Sequence, residues 1–219
     1  MQYSLTSSGA LSIPPGTDSI VKGMEEAKRR GMKDLFLEKG IHIVTGQDIV
    51  LKKEWKISGA GRDQTFVKGG GFDIQGEKEE GKNVVLKHMT ISETSGNGVE
   101  GYEGLSWLCD SLTITQCRWC GVSASDTKGI LINCVITQCG MSGITCYRNS
   151  LIELEGDQTK VVGNVTRGSG YGYGLDTYNT SSTIHLLFPL TQESVSTNNH
   201  GGQNYGGRGG TIETVDSFA

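Results

Sequence analysis

The chain has 219 residues, a formal net charge of −4, and 33 glycines against 3 prolines. Its charged residues are scattered rather than clustered, which argues against a nucleic-acid partner and against a membrane-surface partner. No segment approaches the roughly 18 apolar residues of a membrane-spanning helix, and residues 1–4 lack the basic and apolar regions of a signal peptide. As written, the chain is predicted to be cytoplasmic, or secreted if Met1 stands where a signal peptide was removed.

The N-terminal region predicts one amphipathic helix over residues 17–31. Hydroxyl and carboxylate side chains at residues 17–19 are typical helix caps, and Gly31 is a typical C-terminal stop. An apolar face is formed by Ile20, Val21, Met24 and Ala27. We predict a capping helix, because the first strands after it would otherwise expose unpaired backbone groups.

Short strands follow the helix, and from residue 84 one phrase is written three times. Strands are predicted at 34–38, 41–44, 49–51 and 55–58. Within the repeat, the landmarks that recur every 23 and then 22 residues are Ile91, Ile114 and Ile136, and likewise Gly98, Gly121 and Gly143. This period predicts an all-β solenoid in which each repeat forms one coil. The high glycine content further suggests turns that need positive φ.

The domain organisation follows from this repeat. We predict one domain over 1–219, with coils at 34–188 and a Gly/Asn-rich covering segment at 189–219. The 31-residue interval from Gly143 to Gly174 is assigned to an insertion at 155–160. The covering segment is predicted to be a long loop with one closing strand at 211–215.

The segments LFLEKGIH (35–42) and WKISGAGRDQTFV (55–67), placed after an amphipathic helix, resemble the N-terminal part of pectin-lyase-like proteins. That superfamily includes pectate lyases, pectin methylesterases, polygalacturonases and alginate epimerases. The resemblance implies a single-stranded right-handed parallel β-helix with three parallel sheets and ligands along one outer face. The Asp-Phe-Ile-Phe-Gly, Asn-Thr-Asp and Asp-Pro-His motifs of its enzyme families do not occur here, so no catalytic residue is transferred.

The repeated glycines align the strands that follow them. If the residue after each glycine points inward, side chains alternate outward and inward along the strand. The predicted inner column is Phe72, Val99, Val122, Ile144 and Leu175. The predicted outer columns are Asp73, Glu100, Ser123, Thr145 and Asp176 beside Gln75, Tyr102, Ser125, Tyr147 and Tyr178.

The acidic column contains the candidate catalytic residues. Asp73 and Glu100 are one coil apart, or ~5 Å, which suits a retaining-type carboxylate pair, a shared-proton pair or half of a Ca²⁺ site. The same pair also suits solvated surface charges. Arg148 is a candidate base for a lyase and is equally placed for a salt bridge to Asp126. His200 is a weaker candidate base.

The tyrosine column predicts a ligand-binding strip that comprises Tyr102, Tyr147 and Tyr178 with Tyr171, Tyr173 and Asp176. Flat rings with polar edges stack on sugars or anchor protein partners. Aromatic ladders can also stabilise a sheet without binding a ligand.

Six cysteines raise the question of a metal site. The CxxC at 117–120 has no second pair at zinc-finger spacing and no nearby His, so no metal site is predicted from it. Cys117 and Cys139 occupy equivalent repeat positions, which predicts reduced thiols stacked in the core. A disulfide between them is the alternative in a secreted protein.

Two functions remain open. The favoured one is non-catalytic recognition of a carbohydrate or a protein partner along the outer tyrosine and acidic strip. The alternative is a small enzyme acting on an acidic polysaccharide as a lyase, hydrolase or epimerase. No cofactor is predicted, apart from a Ca²⁺ ion that Asp73 and Glu100 could hold.

Overall fold

The computed structural model describes residues 3–78, 83–168, 172–179 and 181–216. It is a right-handed parallel β-helix of about 8 turns, which confirms the fold predicted from the repeat. Two α-helices, Ser19–Arg29 (α1) and Gln192–Val195 (α2), and a 3₁₀ turn at His200–Gly202 accompany the strands. No helix of these ranges is long and apolar enough to cross a membrane.

The strands that the structure describes are Ser4–Leu5 (β1), Leu11–Ile13 (β2), Gly16–Thr17 (β3), Asp34–Leu37 (β4), Gly40–Ile43 (β5), Ile49–Leu51 (β6), Lys56–Gly59 (β7), Thr65–Lys68 (β8), Phe72–Gln75 (β9), Val84–Lys87 (β10), Thr90–Ser92 (β11), Val99–Tyr102 (β12), Trp107–Asp110 (β13), Thr113–Thr115 (β14), Val122–Ser125 (β15), Lys128–Ile132 (β16), Val135–Thr137 (β17), Ile144–Tyr147 (β18), Leu151–Glu155 (β19), Lys160–Val162 (β20), Leu175–Tyr178 (β21), Thr183–Leu187 (β22), Ser196–Thr197 (β23), Tyr205–Arg208 (β24) and Thr211–Val215 (β25).

Each full coil contributes one strand to each of three sheets. The first sheet has ten strands in the order β1-β2-β4-β7-β10-β13-β16-β19-β22-β25. The second has eight, β3-β5-β8-β11-β14-β17-β20-β23, and the third has seven, β6-β9-β12-β15-β18-β21-β24. Neighbouring strands pair in parallel, apart from the antiparallel pair β1 and β2. Like side chains therefore stack from coil to coil inside the helix, as Ile91, Ile114 and Ile136 do.

The repeated glycines are required by packing rather than by backbone conformation. Fifteen described glycines have positive φ, as the composition predicted, but Gly98, Gly121 and Gly143 are not among them. A Cβ on Gly121 would overlap the Cγ2 of Ile136 and lie 2.8 Å from the carbonyl oxygen of Gly143. The left-handed positions that end the third-sheet strands carry other residues, with φ between 51° and 70°, namely Glu103, Asp126, Arg148 and Asn179.

Helix α1 occupies the place of a third-sheet strand in the first coil, between β3 and β4. Its buried apolar side chains are Ile20, Met24 and Ala27. Val21, which was predicted on the same face, is 39% exposed. The predicted carboxylate cap is also wrong, because the Asp18 carboxylate accepts hydrogen bonds from the Thr45 amide and hydroxyl at 2.8 and 2.7 Å.

The C-terminal region forms a further coil instead of the predicted long loop. Strands β23, β24 and β25 pair with β20, β21 and β22, so the coils continue to residue 215 rather than ending at 188. The extra residues before Gly174 lie mainly between β20 and β21, which are separated by twelve residues in the sequence, whereas β17 and β18 are separated by six. The assignment of the insertion to 155–160 was therefore wrong in its main part.

Candidate functional site

The outer face of the third sheet carries the two predicted columns. Register pairs place Asp73, Glu100, Ser123, Thr145 and Asp176 on successive strands, with Gln75, Tyr102, Ser125 and Tyr147 in the next column. The inner column is fully buried and consists of Phe72, Val99, Val122, Ile144 and Leu175. The alignment based on the repeated glycines is confirmed.

A cleft of about 500 Å³, here called the third-sheet cleft, runs along this face across β12, β15, β18 and β21. Its floor is Glu100, Ser123, Thr145 and Asp176. One wall, from the turns before the strands, is Asn97, Trp119, Cys120, Met141 and Ser142. The opposite wall is Tyr147, Arg148, Tyr178 and Asn179. Since coils stack ~4.8 Å apart, the floor extends for about 14 Å along the helix axis.

Glu100 is held at one end of the cleft by two side chains. Asn97 Nδ2 donates to Glu100 Oε2 at 3.0 Å, and Ser123 Oγ donates to Glu100 Oε1 at 3.4 Å. The side-chain oxygen of Asn97, Oδ1, accepts a hydrogen bond from the backbone N–H of Cys120 at 3.0 Å, which fixes the orientation of the Asn97 side-chain amide. Asn97 was not predicted, because the repeat has Cys120 and Ser142 at the equivalent positions and so gives no recurring signal.

Asp73 is the register partner of Glu100 but does not line the cleft. Burial, followed by the nearby charges of Asp48 and Glu100, raises the pKa of Asp73 to about 6. Asp48, which was not predicted, accepts a hydrogen bond from the Gly71 amide at 2.7 Å. The structure therefore brings three carboxylates close together, of which one faces the cleft.

Asp176 is an internal anchor at the other end of the cleft. It is 1% exposed and accepts from Ser142 Oγ at 3.0 Å. Arg208 donates to both of its oxygens, through Nη2 at 2.8 Å and Nε at 3.4 Å. The Arg208 guanidinium lies 3.9 Å from the ring centre of Tyr178 and 5.6 Å from that of Tyr173. Such a fork geometry neutralises Asp176 and fixes both rings.

Arg208 was missed because the sequence around it is rich in glycine and was interpreted as a loop. The position is a strand because Tyr205–Arg208 pairs with β21. The glycines of this strand permit close contact: a Cβ on Gly206 would lie 2.6 Å from the Tyr173 ring.

The predicted tyrosines do not form one continuous strip. Tyr147 and Tyr178 line the cleft, and Tyr173 lies beside Arg208. Tyr102 lies outside the lining, where burial and then the surrounding carboxylates raise its pKa. Tyr171 falls outside the described residues.

Arg148 lies on the wall of the cleft, 6.0 Å from the ring centre of Tyr147. The predicted salt bridge to Asp126 is not formed between these two described side chains; the Asp126 amide instead donates to the Arg148 carbonyl oxygen at 2.8 Å. Trp119 forms the opposite rim and is 50% exposed. Trp119 was not predicted, because the repeat has Gly96 and Met141 at the equivalent positions.

Within the described part of the chain, neither His200 nor the cysteines are placed to act as a catalytic base or nucleophile in the cleft. His200 lies in the 3₁₀ turn and does not line the cleft. All six cysteines are buried and free, as predicted. The Cys117 and Cys139 thiols donate to the carbonyl oxygens of Thr115 and Thr137 at 3.8 and 3.5 Å. Burial raises the pKa of Cys120 to about 12, so this cleft thiol is protonated at neutral pH. The described residues contain no group of three or more His, Cys, Asp or Glu arranged to hold a metal ion.

The match to a protein-family model agrees with the architecture. A family model for the right handed beta helix region matches residues 36–188. Two similar solved structures are the A-modules of the Azotobacter vinelandii mannuronan C-5 epimerases AlgE4 and AlgE6. The first is 13% identical, with a TM-score of 0.28 and coverage of 96% of this chain and 98% of that chain. The second is 12% identical, with a TM-score of 0.25 and coverage of 94% and 96%.

A search of curated protein sequences finds no match. The family model spans well over half of the 219 residues. The chain belongs to the right-handed β-helix family.

Proposed function

We propose that the third-sheet cleft binds a carbohydrate chain as a non-catalytic recognition site. The observation that carries this proposal is the pair of aromatic walls. Trp119 stands on one side, Tyr147 and Tyr178 on the other, and the floor between them is polar. Flat rings with polar edges stack on the apolar faces of sugars while polar neighbours bond their hydroxyl groups.

The floor and rim supply the polar groups that a sugar requires. The Ser123 and Thr145 hydroxyls both donate and accept, as do the amides of Asn97 and Asn179. The cleft volume of about 500 Å³ lies in the range of sites that bind small molecules. A protein partner usually covers a broader surface, of about 800 Å² on each side. The linear course of the cleft along the strand stack suits a linear polymer.

A glycan array followed by calorimetry tests the proposal. We expect Trp119→Ala and Tyr147→Ala each to weaken binding of the selected glycan about tenfold or more, since one stacked aromatic contributes roughly 0.5–1.5 kcal/mol beyond its buried area. Tyr205→Ala is the matched control, because Tyr205 is 41% exposed and lies outside the cleft. Equal losses in all three variants would contradict a site in the cleft. A protein captured by the wild type but not by Trp119→Ala would favour a protein partner instead.

A second candidate function is favoured by one specific observation. The pKa of Asp73 is raised to about 6 while Glu100, its register partner, faces the cleft. Two carboxyl groups in different environments are the usual basis for acid and base roles on polysaccharides. In this alternative, Arg148 on the cleft wall is the assisting base, and Ca²⁺ bound near Asp73 and Glu100 would supply charge neutralisation.

Incubation with polygalacturonate or alginate, with and without Ca²⁺, tests the enzymatic alternative. Unsaturated product, new reducing ends and epimer content would be measured. If the chain is an enzyme, Glu100→Gln abolishes turnover while Glu103→Gln, at the exposed turn that follows the same strand, leaves it unchanged. Turnover that persists in Glu100→Gln would remove this residue from the mechanism.

A further inference from the structure

The outer face of the first sheet carries aliphatic side chains where a β-helix surrounded by water would be expected to carry polar ones. Val85, Leu108 and Ile130 are direct register neighbours on β10, β13 and β16. Ile132 and Leu151 adjoin them on the same face. All five are half-buried on the outside and none belongs to the interior cluster.

The second sheet provides the contrast. Its outer positions on the same coils are mostly hydroxyl side chains, as in the register pairs Thr90 with Thr113 and Thr115 with Thr137. Threonine satisfies the β preference of an exposed strand without an apolar surface. The aliphatic face of the first sheet is therefore not a general property of this solenoid.

Charged residues flank the aliphatic face in a defined order. The outer column that contains Leu108 reads Asp34, Lys56, Val85, Leu108, Ile130, Glu153, His185 and Glu213. Lys56 lies two strands before Leu108 and Glu153 two strands after it. Asp34 lies three strands before and His185 three after.

When this column is read in opposite directions from Leu108, each aliphatic residue corresponds to an aliphatic residue, and Lys56 corresponds to Glu153. A two-fold axis that runs along β13 through Leu108 would place a second copy face to face with its helix axis antiparallel. Leu108 would then meet Leu108, and Val85 would meet Ile130. Lys56 would meet Glu153, whose carboxylate also pairs with Lys128 of its own chain at 2.9 Å. Asp34 would meet His185, which lies 3.4 Å from Glu213 of its own chain. Such self-complementarity about one axis is what a two-fold interface requires.

The neighbouring outer column matches this axis at its ends, whereas next to the axis it places the Lys87 side chain opposite Ile132. It places Phe36 opposite Leu187, three strands from the axis on either side. Asp110 would meet its own copy at the axis, but each Asp110 is already paired with Lys87 at 3.2 Å. The like charges are therefore neutralised within each chain.

The available area is consistent with a dimer. An axis at β13 overlaps the nine strands from β2 to β25, which lie ~4.8 Å apart and are about 14 Å long on average, so the flat area is roughly 500 Å². Side-chain relief increases this toward the ~800 Å² per partner of ordinary interfaces. We propose that the outer face of the first sheet is the interface of a two-fold, antiparallel homodimer centred on Leu108, which leaves the third-sheet cleft of each copy open.

Sedimentation velocity over a concentration series tests the association. We expect the wild type to reach about twice the 23.5 kDa mass of the chain. Leu108→Arg places two like charges on the axis and is expected to weaken the dimer more than a hundredfold. Thr113→Arg is the matched control, since Thr113 is an outer position of the second sheet on the same coil. A monomeric wild type, a dimeric Leu108→Arg variant or an equal loss in Thr113→Arg would each overturn the proposal.

Cross-linking with a short bismaleimide tests the orientation. Because every native cysteine is buried, an introduced surface thiol is the reactive one. Leu108→Cys is expected to cross-link to itself, since packed sheets lie ~10 Å apart. Asp34→Cys and His185→Cys are expected to cross-link when mixed but not alone, because identical positions would be about 29 Å apart along the axis. Cross-linking of Asp34→Cys with itself would overturn the antiparallel arrangement.

Discussion

Folding of the third sheet makes ionisation of the Asp73 carboxyl group less favourable. Its pKa in the folded chain is about 6, against 3.8 for an ordinary aspartate, because it is partly buried beside Asp48 and Glu100. Between these two values the folded state holds more protons than the unfolded state, so stability falls as the pH rises through this window. Asp73→Asn is therefore expected to stabilise the protein above pH 6 and to leave it unchanged below pH 4.

A gain of about 1 kcal/mol is expected at pH 8, after allowing for solvent screening of this half-buried group. Urea unfolding at pH 4 and pH 8 measures it. Asp63→Asn, at an exposed turn, is the control and is expected to change stability at neither pH. A gain for Asp73→Asn that is equal at both pH values would show that ionisation is not its cause.

Gly121 is fixed by the coil stacked against it. A methyl group there would overlap Ile136 and approach the Gly143 carbonyl oxygen to 2.8 Å and the Cys139 sulfur to 3.1 Å. We expect Gly121→Ala to destabilise the protein by about 3 kcal/mol, since neither a backbone oxygen nor a stacked core can yield cheaply. Chemical denaturation measures the change.

Gly96→Ala is the matched control for Gly121→Ala. Its Cβ would make only ordinary contacts, the nearest with Asp48 Oδ2 at 3.4 Å. We expect a change below about 1 kcal/mol. If both variants lose the same stability, the loss in Gly121→Ala does not come from the stacking of coils.

For single residues, the repeat could predict the positions that recur from one coil to the next. It placed Glu100 and Tyr147 on the correct face, because period and strand alternation together fix which side chains share a column. It could not predict Asn97 or Trp119, since each occurs once in its turn column and acts through geometry that only the folded chain creates. The glycines of the repeat were located correctly, but the sequence does not distinguish their steric requirement from the positive φ that fifteen other described glycines adopt.

Strand β24 shows how an element can be hidden by composition. Tyr205–Arg208 contains two glycines, and nothing in its own sequence favours a strand. Pairing with β21 forms it, and its position is set by the coil before it. Register thus overrides local propensity, as is common in sheets.

Arg208 is predicted to be the residue through which β24 secures the cleft. Arg208→Met leaves Asp176, which is 1% exposed, as a buried charge without its partner. We expect a loss of about 3 kcal/mol, together with weaker binding of any ligand that stacks on Tyr178, because the guanidinium that supports this ring is gone. Denaturation and calorimetry measure the two effects.

The double variant Asp176→Asn with Arg208→Met separates charge from packing. With the buried charge also removed, most of the stability is expected to return. The loss of ligand affinity is expected to remain, because the support beneath Tyr178 is still absent. Full recovery of both would mean that Arg208 acts only by neutralising Asp176.

At the scale of the whole molecule, the fold could be predicted because a solenoid contacts only its neighbours. One repeat, recognised in residues 84–147, defines the structure of the coils on either side of it. The ends are different. There α1 and the C-terminal coil replace the repeat by unique contacts, such as Gln192 Nε2 donating to the Ile212 carbonyl oxygen at 2.8 Å. Such contacts have no period by which they could be foreseen.

The C-terminal coil is therefore expected to act as the cap of the whole stack. A chain ending at Pro189 would lose β23, β24 and β25 and expose the edges of β20, β21 and β22. Unpaired parallel edges recruit further chains, so the shortened protein is expected to form open-ended aggregates at micromolar concentration. Light scattering against concentration measures this, with Leu108→Arg added to remove association through the first sheet. A shortened Leu108→Arg chain that remains folded and monomeric would show that the stack needs no cap at this end, and that β24 serves the cleft alone.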